Sequence, residues 1–280
     1  MKKIRICAVQ SKVNERFDKN ITKVEHFFKK ANSKDCDIVC FPEVFLTGGL
    51  YKKEYDPEIP FLSKKLFSKL SENYRLYSIM GSVIEKIGDN LYNISYLFND
   101  TGSILGTYKK NHLVQKSEAQ YLKSGMNISV FRTKIGNIGI QICRDLLYPE
   151  LTRKLMIKNA DIIFCPSFWC SKSSSYDRIY NDKYFKNKLP TEVDSLVSAR
   201  AIESETAFVY VNAAGTFNHD GQKNILLGRT QIAVPFYGTI AKLNHNKEGI
   251  LIKEIDLNIV KDAKKIYDIE SDLKGYYKNK

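Results

Sequence analysis

The sequence predicts an α/β fold built on mixed β-sheet, and three observations carry that prediction. Short apolar strands alternate with amphipathic helices along the chain. An antiparallel hairpin signal, Asn99-Asp100-Thr101-Gly102, falls inside that alternation, which a purely parallel sheet would not contain. The 280 residues carry no Gly/Ser or Pro-rich linker and no internal repeat, so one domain spanning 1–280 is the expected organisation.

Element by element, Ile4 to Val9 reads as a buried strand, and Asp18 to Ala31 as a helix with Asp18 as its N-cap. Asp37 to Phe41 is a short apolar strand ended by Pro42, which leaves Glu43 in the loop at its carboxyl end. In α/β proteins that end of a strand faces the ligand crevice. Phe61 to Tyr74 reads as a helix, followed by strands at Tyr77 to Ile84, Leu91 to Phe98 and Ser103 to Tyr108. Strands Ile128 to Thr133 and Ile138 to Ile142 flank the turn Lys134-Ile135-Gly136-Asn137, and Cys143 comes directly off the second. A helix opens at Tyr148-Pro149-Glu150, with Pro149 suited to its first turn and Glu150 to its positive dipole end. A strand at Asp161 to Cys165, an irregular stretch from Ser167 to Leu189, a helix at Thr191 to Glu205, a strand at Ala207 to Asn212 and a helix near Val260 to Lys265 complete the series.

Composition narrows the function classes. With 43% apolar and 12% aromatic residues the chain can bury a large core without staples. The N-terminus turns polar at once, without the apolar run of a signal peptide or membrane span, so a cytoplasmic protein is expected. The six cysteines mostly sit in apolar segments as reduced thiols. No cysteine pair has metal-ligand spacing and the four histidines are scattered, so neither a metal nor a cofactor is expected. The net charge of +13 is spread along the chain among acidic residues, with no basic stripe, and reads as a solvated surface and not as a nucleic-acid site.

Of the six cysteines only Cys143 is flanked by charge, in Ile142-Cys143-Arg144-Asp145, at a strand-to-helix junction that is expected to lower a thiol pKa. A nucleophilic cysteine needs a base, and a papain-like histidine is not evident. His112 is the one histidine in an ordered apolar context, and a lone histidine of this kind is more often structural.

Three segments in order then resemble the nitrilase superfamily of carbon–nitrogen hydrolases: Phe41-Pro42-Glu43 with Phe45-Leu46-Thr47-Gly48, Tyr108-Lys109-Lys110-Asn111-His112-Leu113, and Cys143-Arg144-Asp145-Leu146 with Tyr148-Pro149-Glu150. The similarity extends to Ser198-Ala199-Arg200-Ala201-Ile202-Glu203 and to Val211-Asn212-Ala213-Ala214-Gly215. The resemblance implies a four-layer α-β-β-α sandwich of two mixed sheets, assembled as a homodimer. It implies Cys143 as nucleophile, Glu43 as general base, Lys110 as the cation facing an oxyanion and Glu118 as a positioning carboxylate, acting on a small linear amide or N-carbamoyl substrate. A nitrile substrate and a silent binding protein on the same scaffold are the competing readings. Arg144 departs from the family's usual residue after the nucleophile; it either binds an acidic substrate or pairs with Asp145 or another carboxylate. The stretch Phe168 to Leu189, with Trp169, Lys172, Tyr176, Arg178 and Tyr180, is expected to form a pocket lid, with Trp169 and Lys172 on the substrate.

Overall fold

The computed structural model describes residues 3–48, 55–172, 178–219 and 222–278. In chain order the strands and helices are β1 Lys3–Gln10, α1 Phe17–Ile21, α2 Val24–Asn32, β2 Ile38–Cys40, α3 Glu58–Tyr74, β3 Tyr77–Ile79, β4 Val83–Ile87, β5 Asn90–Phe98 and β6 Ile104–Lys109. There follow β7 Val130–Thr133, β8 Gly136–Ile140, α4 Pro149–Ile157, β9 Ile162–Ser167, β10 Cys170–Lys172, α5 Arg178–Glu203 and β11 Ala207–Asn212. The chain closes with β12 Thr216–His219, β13 Gln222–Leu226, β14 Gln231–Val234, β15 Gly238–Lys242, β16 Gly249–Asp256, α6 Asn258–Ile266 and α7 Ile269–Lys278.

Two large mixed sheets result. The first runs β16-β1-β2-β3-β5-β4, with β6 pairing β5, and the second runs β15-β14-β11-β9-β8-β7. In each, the parallel strands lie at the centre, β1-β2-β3 in one and β8-β9-β11 in the other, and antiparallel strands cover the flanks. A small third sheet joins β10, β13 and β12.

Side-chain alternation builds the layers. On β1, Ile4, Ile6 and Ala8 enter the core shared with β8, β9 and β11, whereas Cys7 and Val9 enter a second core with Val24, Phe27 and Phe28 of α2 and Phe67 and Leu70 of α3. β2 divides the same way, Ile38 and Cys40 inward and Val39 outward. Strands β9 and β11 are buried on both faces, because the first sheet covers one face and α4 and α5 the other, through Leu151, Leu155, Val193 and Val197. The order helix, sheet, sheet, helix is the four-layer sandwich expected above.

The structure corrects several boundaries. The helix expected from Asp18 is two helices, with Asp18 in the first turn of α1 and Arg16 at the cap position. The strand expected over Tyr77 to Ile84 divides around Gly81, whose φ of +75° only glycine adopts readily. A Cβ there would lie 1.9 Å from the Pro42 carbonyl oxygen, so the close approach of this turn to the loop bearing Glu43 requires glycine. The irregular stretch expected to Leu189 is largely helix, since α5 already begins at Arg178 and runs through Pro190. Charged and polar residues dominate its first turns and hide the helical periodicity. Residues 173–177, with Tyr176, lie outside the described residues, as do the side chains of Lys172, Arg178 and Tyr180, so the lid reading does not fall on the described part.

Two expectations hold in detail. At the β5–β6 turn the Asn99 carboxamide oxygen accepts the Thr101 and Ser103 amides, and Gly102 takes φ +78°. At α4, Pro149 opens the helix behind an extended Tyr148.

Candidate active site

Chain endings bring the chemistry together. Glu43 follows β2, Lys110 follows β6, Cys143 follows β8, and Phe168 and Trp169 follow β9, so the carboxyl ends of both sheets' central strands converge on one place. Glu118 arrives from a single 3-10 turn, Glu118–Gln120.

The Lys110 ammonium lies 2.8 Å from Glu43 Oε1 and 2.8 Å from Glu118 Oε1, with exposures of 1%, 1% and 2% for the lysine, Glu43 and Glu118. A buried cation between two buried carboxylates is more readily held where the carboxylates are also hydrogen-bonded, as both are here. The Asn93 carboxamide donates to Glu43 Oε1 at 2.9 Å, and the Val114 amide donates to Glu118 Oε2 at 2.8 Å. Both bonds to Glu43 land on Oε1, which leaves its second oxygen for the neighbouring thiol. Glu118 is thus buried beside Lys110 and not a solvated loop residue.

Burial raises the Glu43 carboxyl above its ordinary pKa; the Lys110 charge opposes that shift, and the Glu118 charge adds to it. For Lys110, desolvation pulls the ammonium down, but the Glu118 and Glu43 charges outweigh it and hold the lysine well above its usual value. Burial, then the Glu43 charge, pushes the Cys143 thiol well up, against Lys110 and a Phe168 backbone hydrogen bond. This overturns the expectation of a lowered thiol pKa. The element after Cys143 is a five-residue 3-10 turn, Cys143–Leu147, and α4 starts only at Pro149, so no long helix points its positive end at the sulfur. The raised thiol favours its neutral form beside a carboxyl, a pair able to exchange a proton.

Cys143 itself has φ +47°, a left-handed conformation that costs a non-glycine residue energy and places the side chain at a sharp strand-to-turn corner. Arg144 is half-buried, its Nε is buried without a partner, and among the described residues no carboxylate pairs with it. The pairing with Asp145 considered from the sequence is not formed: that carboxylate accepts from the Ile142 amide, Tyr108 and His112 instead. Trp169 is 9% exposed, and its Nε1 is a buried donor without a partner. Its backbone is pinned by Asn212, whose Oδ1 accepts the Trp169 amide at 2.8 Å and whose Nδ2 donates to the Trp169 carbonyl at 3.2 Å. Lys172 contributes its backbone to β10.

Asn93, Asp145 and Asn212 were not picked out from sequence. The available signal was polar residues inside otherwise apolar strands: Asn93 and Ser95 in β5 and Asn212 closing β11 are all buried. Among the described residues no group of three or more His, Cys, Asp or Glu is arranged to hold a metal ion, and no helix is long and apolar enough to cross a membrane.

Comparison with known proteins agrees with this geometry. The carbon-nitrogen hydrolase family profile matches residues 3–265. The chain is 24% identical over 274 residues to omega-amidase NIT2 of Danio rerio, covering 94% of this chain and 92% of that protein. It superposes on a carbon-nitrogen hydrolase of Helicobacter pylori G27 with TM-score 0.86 at 21% identity, covering 97% and 95% of the two chains. A cysteine-to-alanine variant of an amidase from Nesterenkonia sp. AN1, solved in complex with butyramide, superposes with TM-score 0.75 at 15% identity over 92% and 93%. The chain therefore belongs to the carbon-nitrogen hydrolase family, within the nitrilase superfamily, and is an enzyme that hydrolyses carbon–nitrogen bonds.

Proposed function

We propose that this hydrolase, read as one domain over 1–280, cleaves a small linear amide or N-carbamoyl compound with release of ammonia, through a thioester on Cys143. The observation that carries the reading is the buried Lys110 ammonium held at 2.8 Å from both Glu43 and Glu118 beside a thiol on a left-handed corner. Glu43 takes the thiol proton as Sγ attacks the carbonyl carbon. The resulting oxyanion faces Lys110 and the Arg144 backbone N–H. Collapse breaks the C–N bond, and Glu43 returns the proton to the departing nitrogen. Water, losing its proton to Glu43, then attacks the thioester, releases the acid and restores the thiol. Glu118 positions Lys110 and takes no proton in this scheme.

Relatives named as omega-amidases favour a terminal amide as substrate. The unpaired Arg144 and Trp169 donors favour an acceptor-rich substrate end, a carboxylate for Arg144, and Lys172 adds charge to the same segment. We place the enzyme in the cytoplasm as a homodimer or higher homo-oligomer that needs no cofactor; its mass by light scattering tests the assembly.

The experiment is ammonia release across a panel of amides, carbamoyl compounds and nitriles, with Cys143→Ala as control and mass spectrometry for the acyl adduct. Release by the parent alone with an adduct on Cys143 is expected; release by Cys143→Ala, or acid from nitriles but not amides, overturns it. Succinamate and butyramide differ by a carboxylate in place of a methyl, so a loss confined to succinamate in Arg144→Lys identifies the acid-binding role and equal losses remove it.

A further inference from the structure

We propose that Asp145, with His112 and Tyr108, is a positioning clamp that fixes the distance and angle between the Cys143 corner and the Lys110 segment; it rests on the roles given to Cys143 and Lys110 above. Asp145 is fully buried, and its carboxylate bonds to both pieces of chain. Its Oδ2 accepts the Ile142 amide at 3.0 Å and the Tyr108 hydroxyl at 2.7 Å, while Oδ1 accepts the His112 amide at 2.9 Å and lies 2.7 Å from His112 Nδ1.

The spacing is what gives the cluster its leverage. Tyr108 and His112 stand two residues to either side of Lys110, so one carboxylate grips that segment at both ends. On the other side, the Asp145 amide donates to the Ile142 carbonyl at 3.0 Å while the Ile142 amide donates to the Asp145 carboxylate. This reciprocal pair brackets Cys143 and Arg144 and holds the left-handed backbone at Cys143, a conformation that persists only where surrounding contacts over-determine it. The His112 ring is fixed in turn by stacking on Tyr148, centroids 3.5 Å apart and planes 7° from parallel. Since a carboxylate only accepts, Nδ1 carries the proton in this contact. Burial, with the Asp145 charge beside it, pushes the Tyr108 phenol well up and keeps it a donor.

A structural brace and a positioning clamp differ in what their loss changes. A brace alters how much enzyme is folded; a clamp alters the rate per folded site. The test uses p-nitrophenyl acetate as acylating probe. Burst amplitude counts working sites, the burst rate constant reports acylation, and circular dichroism reports the melt. His112→Phe keeps a ring against Tyr148 and removes the Nδ1 donor, and Tyr108→Phe removes only the hydroxyl. His112→Asn restores a donor near Nδ1.

We expect acylation per titrated site to fall about 10²-fold in His112→Phe, the cost of displacing a reacting group by roughly 1 Å, with the probe's dissociation constant, read from the concentration dependence of the burst rate constant, unchanged. We expect a smaller loss of the same kind in Tyr108→Phe and partial recovery in His112→Asn. Per-site acylation at the parent rate in both phenylalanine variants, with only the melt lowered, overturns the clamp. If the parent shows no burst and no acetyl group on Cys143, the nucleophile assignment falls and the clamp falls with it.

Discussion

Replacing Lys110 by methionine tests the electrostatics of the site directly. It removes the one cation from between two carboxylates that are 1% and 2% exposed. Each pair at 2.8 Å has a gross attraction of about 6 kcal/mol at an effective dielectric constant of 20. Desolvation consumes most of it, and breaking such a buried pair from one side costs roughly 3–5 kcal/mol. The Glu43 carboxylate, left without the lysine, escapes by binding a proton. A carboxyl whose folded pKa lies above its unfolded one contributes stability that is complete below the unfolded value and disappears as pH rises through the folded value. The burial that already raises Glu43 then acts without the lysine opposing it. Lys110→Met is therefore expected to lose about 3–5 kcal/mol at pH 8. At pH 5.5 the deficit shrinks, by up to about 1.4 kcal/mol per pH unit over the range in which Glu43 takes up a proton on folding. Urea denaturation at the two pH values measures it. Lys110→Met with Glu43→Gln and Glu118→Gln removes the charges together and is expected to recover most of the loss. A deficit below about 1 kcal/mol, or one equal at both pH values, would refute a charge triad balanced by Lys110.

Three further outcomes follow from the same geometry. Because the proposed base Glu43 must be ionised to take the thiol proton and its carboxyl is raised by burial, the acid limb of kcat/KM is expected above the ordinary carboxylate range, with activity lost as pH falls through it; Asn93→Leu, which deletes a donor to that carboxylate, moves the limb further up, and a limb near 4.5 argues against Glu43 as base. Iodoacetamide labelling of Cys143 in a Glu43→Gln background, which removes the Glu43 charge and keeps the burial, is expected to stay slow through neutral pH and to accelerate in alkali, since burial is the largest cause that raises the thiol; rapid labelling at pH 7 means that burial does not hold the thiol up. Gly81→Ala puts a Cβ 1.9 Å from the Pro42 carbonyl oxygen at φ +75°, so a loss of at least about 2 kcal/mol in urea denaturation is expected together with reduced turnover per folded molecule, and a neutral substitution contradicts the contact.

Which parts were legible in the sequence follows a physical division. Glu43, Lys110 and Cys143 each end a strand, and strand ends announce themselves through Pro42, through the polar residues after Tyr108, and through the break after Ile142. Their convergence depends on pairings such as Ile140 with Phe164 and Cys40 with Ile79, which join distant segments and leave no local trace. Asn93 shows the difficulty plainly. Polar residues alternating along β5 imitate a solvent-facing strand, yet Asn93 and Ser95 are buried because that face meets the site. Asp145 was misjudged for a related reason, since adjacency suggested Arg144 as its partner although its side-chain donors, Tyr108 and His112, come from 37 and 33 residues away. The thiol was misjudged through distance along the helix axis: Pro149 was visible, but not that a 3-10 turn separates it from Cys143.

The charge state of the site then determines how the fold must be built around it. Among the described residues, the Glu43 and Glu118 charges both oppose forming a thiolate at Cys143 until a substrate arrives, against the Lys110 charge. An electrophilic carbonyl seated between Cys143 and Lys110 changes that balance, because the negative charge leaving sulfur reappears on an oxygen that the lysine faces. In the proposed mechanism, proton transfer to Glu43 is thereby tied to carbon–sulfur bond formation and does not precede it. Such coupling works only if sulfur, carboxylate and ammonium keep their spacing while charge moves among them. The Lys110 carbonyl accepts the Gly125 amide and its amide donates to Asn93, fixing the backbone beneath the ammonium. On the other side of the site, the strained Cys143 corner is closed by Ile142 and Asp145. Rigidity of the surrounding backbone is therefore a requirement of the chemistry, since a sulfur free to retreat from Glu43 would remain a protonated, unreactive thiol.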